Sequence, residues 1–194
     1  GLTNSTTFTA EENAVEPTNI VTQENFFDFF DADGFLLDTV EFDELIFSGE
    51  FSDLLSDNYI LITRPITITG DNAVLNNMGF VISSENVALD NLTLIATTPL
   101  GDLISVTESS VGLTNLTISY IVNEDGSSNA INVKGTDTIT DVHVLDCDIY
   151  FECHITKDNY VVTAINFDDV EDVYVDGCDI VANMPSLTVG SYDY

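Results

Sequence analysis

Hydrophobic and polar positions alternate along this chain in short runs, and four of the runs share one phrase. It reads VALDNLTLI at 87–95, VGLTNLTIS at 111–119, VHVLDCDIY at 142–150 and VYVDGCDIV at 173–181. The leading residues Val87, Val111, Val142 and Val173 lie 24, 31 and 31 residues apart. Self-similarity at such a period points to stacked structural repeats. In each phrase an alternating run meets a two-residue break, and a second alternating run follows. Alternation at period two predicts strands with one face buried. The break holds Asn91, Asn115, Asp146 and Gly177. These residue types best tolerate left-handed backbone, Gly because it has no Cβ and Asn or Asp through local hydrogen bonds. A sharp bend between two strands is therefore expected at one register of every repeat. After the bend, the inward positions are Leu92, Leu116, Cys147 and Cys178, then Leu94, Ile118, Ile149 and Ile180.

A third strand follows in each repeat: FVIS at 80–83, LISV at 103–106, AINV at 130–133 and AINF at 164–167. Three short strands per turn predict an all-β parallel β-helix, with neighbouring coils about 4.8 Å apart. A β-sandwich also uses many short strands, but it does not require matching bend residues at matching register. Three segments result. Residues 1–21 read as an extended arm or linker. Residues 22–58 form an N-terminal cap containing a short helix, capped by Thr22 and carrying Phe26, Phe27 and Phe30, with strands around Leu36 and Ile46. Residues 59–194 form the coils, expected to continue beyond the C-terminus. A solenoid needs a lid because its end exposes both core and strand edge.

Composition changes the picture in one respect. Asp and Glu number 34 against 3 Lys and Arg, a formal net charge of −31, and residues 1–63 contain no Lys, Arg or His. Such a surface repels phosphate backbones and anionic lipid, which excludes nucleic acid and membrane-surface partners. No stretch is long and apolar enough for membrane insertion. The chain starts at Gly1 without a secretory leader, as a processed product would. Cys147 and Cys178 share one inward register on adjacent coils and read as buried thiols in a leucine slot, with a disulfide between them as the alternative.

The run VTQENFFDFFDADGFLLDTVEFDELIFSGEFSDLLSDNYILITRPITITGDNAVLNNMGFVISSENVALDNLTL resembles the amino-terminal region of adhesin-like surface proteins of methanogenic archaea. These fall in the pectin-lyase-like group of right-handed parallel β-helices. The resemblance covers about residues 21–194. It implies secretion, extracellular display at the cell surface, and non-catalytic contact with other cells, surfaces or glycans. No agreed catalytic motif accompanies it, so it assigns no residue roles.

The alternative of a polysaccharide lyase or glycoside hydrolase of the β-helix group meets a chemical obstacle. A lyase needs a basic side chain beside the substrate carboxylate, and the chain offers only Arg64, Lys134 and Lys157. A hydrolase needs two suitably spaced carboxylates. Asp168-Asp169 is present, but neither His143 nor His154 is flanked by Gly, and no Arg-x-Lys occurs. No catalytic residue is therefore assigned.

Surface chemistry yields several expectations. Asp31, Asp33 and Gly34 echo a calcium loop, yet Phe29 and Val40 fill its first and twelfth positions, so the ligand set fails. Asp148 and Asp179 stack outward on adjacent coils. Two carboxylates about 5 Å apart in water repel by roughly 0.8 kcal/mol, which a bound Ca2+ would relieve. Glycosylation sequons occur at Asn4, Asn91 and Asn115. The loops after the second strand, roughly 96–102, 120–129 and 151–163, bring aromatic and amide or carboxylate groups to one flank. There Tyr120, Asn123, Asp125, Tyr150, Asp158 and Tyr160 are the expected glycan-binding residues. A structural alternative is a filament subunit. In it the N-terminal arm adds a strand to a neighbouring copy, and the uncapped C-terminal coil receives one.

Overall fold

The computed structural model describes residues 18–98, 100–123, 126–154 and 162–183. These are all-β. Fourteen strands join in one sheet: β1 Ile20–Val21, β2 Glu44–Phe51, β3 Tyr59–Ile62, β4 Ile66–Asn76, β5 Gly79–Ile82, β6 Val87–Asp90, β7 Thr93–Ala96, β8 Asp102–Val106, β9 Val111–Thr114, β10 Thr117–Val122, β11 Ser128–Leu145, β12 Asp148–Cys153, β13 Val162–Asp176 and β14 Asp179–Asn183. Every pairing between these strands is parallel.

The pairings fall into three ladders, and register ties each to the sequence phrase. In the first, Leu45, Ile68, Leu89, Leu113, Val144 and Val175 are successive partners. The second aligns Phe51, Leu75, Leu94, Ile118, Ile149 and Ile180. The third aligns Ile60, Phe80, Ile104, Ile131 and Ile165. All of these except Val175, Ile165 and Ile180, which lie on the last rung, are buried. Period-two alternation thus places one continuous apolar column behind each ladder. The first two ladders already begin with β2, inside the segment read as cap, and Ile20 and Val21 of the arm pair with Ile46 and Phe47.

The bends are left-handed as the sequence predicts. Asn91, Asn115 and Asp146 have φ of 54°, 51° and 53°, and Gly177 has 67°. Asn115 Nδ2 donates to Asp90 Oδ1 at 2.7 Å, and Asn91 Nδ2 to the Gly70 carbonyl at 2.7 Å. Gly70 is required by close approach, because a Cβ there would stand 2.0 Å from the Asn91 carbonyl oxygen. A second left-handed column went unread in the sequence. Asn86, Ser110, Asp141 and Asp172, each just before the leading valine, have φ of 57°, 56°, 60° and 53°. The signal was present as four short polar residues at one register.

The helix expected after Thr22 does not form. A single 3-10 turn, Phe26–Asp28, stands there, with Asn25 and not Thr22 at its start. The Asn25 side chain is committed backwards. Its Oδ1 accepts from Thr22 N at 2.6 Å, and its Nδ2 donates to the Ile20 carbonyl at 3.0 Å. Asp31 then reverses the chain, its Oδ1 accepting from Asp33 N at 3.0 Å and Phe35 N at 2.8 Å. Too few residues remain between these turns for a costly helix nucleus to repay itself. Phe26 and Phe30 are buried as expected and stack at 4.8 Å, but Phe27 is 50% exposed. With Phe47 and Phe51 they close the N-terminal end of the core.

Candidate functional site

The outer face of the second ladder presents a three-by-three array of side chains. Register aligns Thr117, Asp148 and Asp179, then Ser119, Tyr150 and Val181, then Ile121, Glu152 and Asn183. Strand alternation sends their neighbours Ile118, Tyr120, Ile149 and Phe151 into the core. Between Thr117, Ser119, Asp148, Tyr150, Asp179 and Val181 runs a shallow open groove of about 310 Å³. Asp148 and Asp179 are exposed and directly paired across β12 and β14. Among the described residues, no group of three or more His, Cys, Asp or Glu side chains is placed to hold a metal ion.

Tyr150 belongs to a short hydrogen-bonded chain. Its hydroxyl donates to Glu152 Oε2, and Glu152 Oε1 lies 2.7 Å from His154 Nε2. The phenol donor and the adjacent imidazole hold the Glu152 carboxyl below the usual carboxylate range. The carboxylate in turn pushes the Tyr150 phenol upward. Tyr150 therefore stays neutral and its ring is tethered along the face. The arrangement offers an aromatic surface, hydroxyls and carboxylate acceptors. That set suits neutral polyols or cations and repels anions.

Other expected binding residues fare differently. Tyr120 is a correction: it is fully buried in β10, where its hydroxyl donates to the Gly101 carbonyl at 3.1 Å and accepts from Leu100 N at 3.0 Å. Its ring packs edge-on against buried Phe151 at 5.7 Å. The cause is strand length. β10 and β12 continue through Val122 and Cys153, so alternation turns Tyr120 and Phe151 inward where loops were expected. Asn123 follows β10 and is exposed. Asp125, Asp158, Tyr160 and Asn4 lie outside the described residues. Asn91 and Asn115 are exposed at the bends, with their amide nitrogens already donating as described above.

Two features escaped the sequence reading. The outward column Ala88, Gly112, His143, Tyr174 rises from small to aromatic along the first ladder. The His143 and Tyr174 rings pack 4.7 Å apart, their planes tilted by 52°, beside a groove of about 240 Å³ lined by Ser110, Gly112, Asp141 and His143. On the third ladder both Asp102 carboxylate oxygens accept, from Asn129 Nδ2 at 2.6 Å and Asn132 Nδ2 at 2.7 Å. Asn166 Nδ2 continues the ladder to Asn132 Oδ1 at 2.8 Å. The repeated Asn of AINV and AINF was its signal.

The two basic side chains among the described Lys and Arg residues have structural partners. Arg64 donates to the Val40 carbonyl at 2.6 Å, and Lys134 pairs with Asp168 on the adjacent strand. Lys157 lies outside the described residues. No helix among the described residues is long and apolar enough to cross a membrane. Comparison with family models, curated proteins and solved structures gave no match.

Proposed function

We propose that the three ladders wind as a right-handed parallel β-helix and that the chain is a non-catalytic, adhesin-like contact protein displayed at the cell surface. Its ligand on this reading is a neutral glycan bound at the groove beside Tyr150. The observation that carries the reading is the tethered Tyr150 ring between hydroxyl and carboxylate rows on a flat, rigid face. Rigid placement limits the entropy lost on binding, and a ring beside acceptors suits the apolar face and hydroxyls of a sugar. Arg64 and Lys134 both have structural partners, which supports contact over lyase chemistry. Asp148 and Asp179 are the proposed Ca2+ ligands, and Asn4, Asn91 and Asn115 the proposed glycosylation sites.

A glycan array probed with and without Ca2+, using the wild type and Tyr150→Ala, tests the site. Loss of binding in Tyr150→Ala with unchanged circular dichroism supports it. Equal binding by both proteins removes Tyr150 from the site, and product released from polygalacturonate overturns the non-catalytic reading. A second reading, self-association at the C-terminal rung, rests on the exposure of Val175, Ile180 and Val181 at 44%, 42% and 49%. Sedimentation across a concentration range separates it from a monomeric adhesin.

A further inference from the structure

Two thiols lie in one register on neighbouring rungs, and the proposed function gives them no role. Cys147 and Cys178 each follow a left-handed residue, Asp146 and Gly177, and Asp179 N donates to the Cys147 carbonyl at 2.9 Å. The two sulfurs are oriented alike. Cys147 Sγ faces the Leu113 and Leu145 carbonyls at 3.5 and 3.2 Å, and Cys178 Sγ faces those of Val144 and Asp176 at 3.4 Å each. Asp146 N also donates to the Asp176 carbonyl at 2.9 Å, so the backbone on both sides of the two thiols is paired. Cys153, by contrast, is buried opposite Val122 and has no thiol at its register on β10.

Rungs about 4.8 Å apart fall within the Cα separation of disulfides, but Cβ atoms must close to about 3.8 Å. One rung must therefore tip by about 1 Å. An interior rung is held from both sides by close packing. Among the described residues nothing packs over the rung of Cys178, where Val175 and Ile180 are 44% and 42% exposed. Cys178 is itself half-buried, whereas Cys147 is sealed.

We propose that Cys147 and Cys178 are a disulfide-forming pair that staples the last rung to the one before it when a hydroperoxide is present. The Cys178 thiolate attacks the peroxide, which becomes water or an alcohol, and carries away an oxygen as sulfenic acid. The Cys147 thiol then gives up its proton and attacks that sulfur. The S–O bond breaks, and hydroxide leaves and takes the proton as water. Two thiol hydrogens and two electrons pass to the peroxide in all. The second step is the slow one, because burial pushes the Cys147 thiol up to about 11 and the thiolate is the nucleophile.

The test is hydrogen peroxide titration of the full chain, read by intact mass and by alkylation of remaining thiols. The expected result is a loss of 2 Da, a fall from three alkylatable thiols to one, and a Cys147–Cys178 cross-linked peptide. Cys153→Ser keeps the cross-link, and Cys147→Ala accumulates sulfinic acid at Cys178. The thermal midpoint of the oxidised wild type rises by several degrees and returns on reduction. Sulfinic acid at Cys178 of the wild type without a cross-link overturns the proposal, as does a bridge to Cys153 or between molecules.

Discussion

The two ends of this molecule carry the same repeat under different cover. At the N-terminal end Leu45, Phe47 and Phe51 are fully buried beneath Phe26 and Phe30. At the other end Val175 and Ile180 occupy the same columns and stand 44% and 42% exposed, although their partners Val144 and Ile149 are at 0% and 2%. Both ends pair in parallel and turn through left-handed bends, although β2 and β4 carry a register shift between Ser48 and Glu50 that β12 and β14 lack. What differs is that Phe26 and Phe30 pack on the first end, whereas among the described residues no strand pairs beyond β13 and β14. If the ladders wind as the β-helix proposed above, burial is supplied by the neighbouring rung and stability is set largely by nearest-neighbour stacking.

The largest effect should come from the covered end. Phe47→Ala removes a fully buried ring that packs on Phe30 and Phe51 and is expected to cost about 3–5 kcal/mol. Ile180→Ala should cost about 1 kcal/mol or less, because its side chain gives up little burial. Equilibrium urea denaturation measures both, and Phe47→Leu serves if the alanine variant does not fold. Similar losses at the two sites would break the comparison.

Next comes alkaline pH, where the penultimate rung differs from an open one. The buried Cys147 thiol is pushed from 9.0 up to about 11. The folded state favours the protonated form, so this contribution is intact below pH 9.0 and is lost as pH rises toward 11. By the free energy of one pKa unit the loss is on the order of 2–3 kcal/mol. Burial also raises the Tyr59 and Tyr120 phenols, so the readout is the difference between wild type and Cys147→Ala from pH 8 to 11. A difference that stays constant across that range would mean the thiol is open to water and the penultimate rung is not sealed.

The bends should respond more modestly. Asn115→Ala keeps φ near 51° with a residue that disfavours it, at about 1–2 kcal/mol. Asn115→Gly should recover most of the loss in the same denaturation experiment, because Gly has no Cβ penalty. If glycine is as damaging as alanine, the Asp90 hydrogen bond and not the backbone is what matters at that register.

These bends were the most legible part of the chain. Their residue types repeat, and period-two alternation named every column from Leu92 to Ile180 correctly. The N-terminal segment was harder, because it occurs once and local propensity was its sole guide. Phe26, Phe27 and Phe30 read as a helix face, yet Asn25 and Asp31 spend their side chains on turns. At the site, the alignment of Asp148 with Asp179 was legible because it follows directly from register, whereas Tyr150, expected beside a loop, lies within β12. Tyr120 was misplaced because a strand's end carries no periodic signal, and one extra turn of alternation reverses a side chain. His143 and Tyr174 were missed for a related reason: an outward column gains meaning only when its members are compared across rungs.

The smallest effect is expected at an exposed charge pair across the seam between the covered and open regions. Lys134 and Asp168 are register partners on β11 and β13, and both side chains are largely in water. The carboxylate raises the Lys134 ammonium above its usual range, but exposed ion pairs contribute little because solvent and salt screen them. Lys134→Ala should leave the urea midpoint unchanged within error at moderate salt. The same variant bears on the lyase alternative, for which Lys134 would be the available base. If wild type releases product from polygalacturonate and Lys134→Ala does not, the pair is a catalytic element and the contact function fails. If neither protein yields product and both unfold alike, Lys134 is a solvated charge on an outer face, and the difference between the two ends rests on stacking.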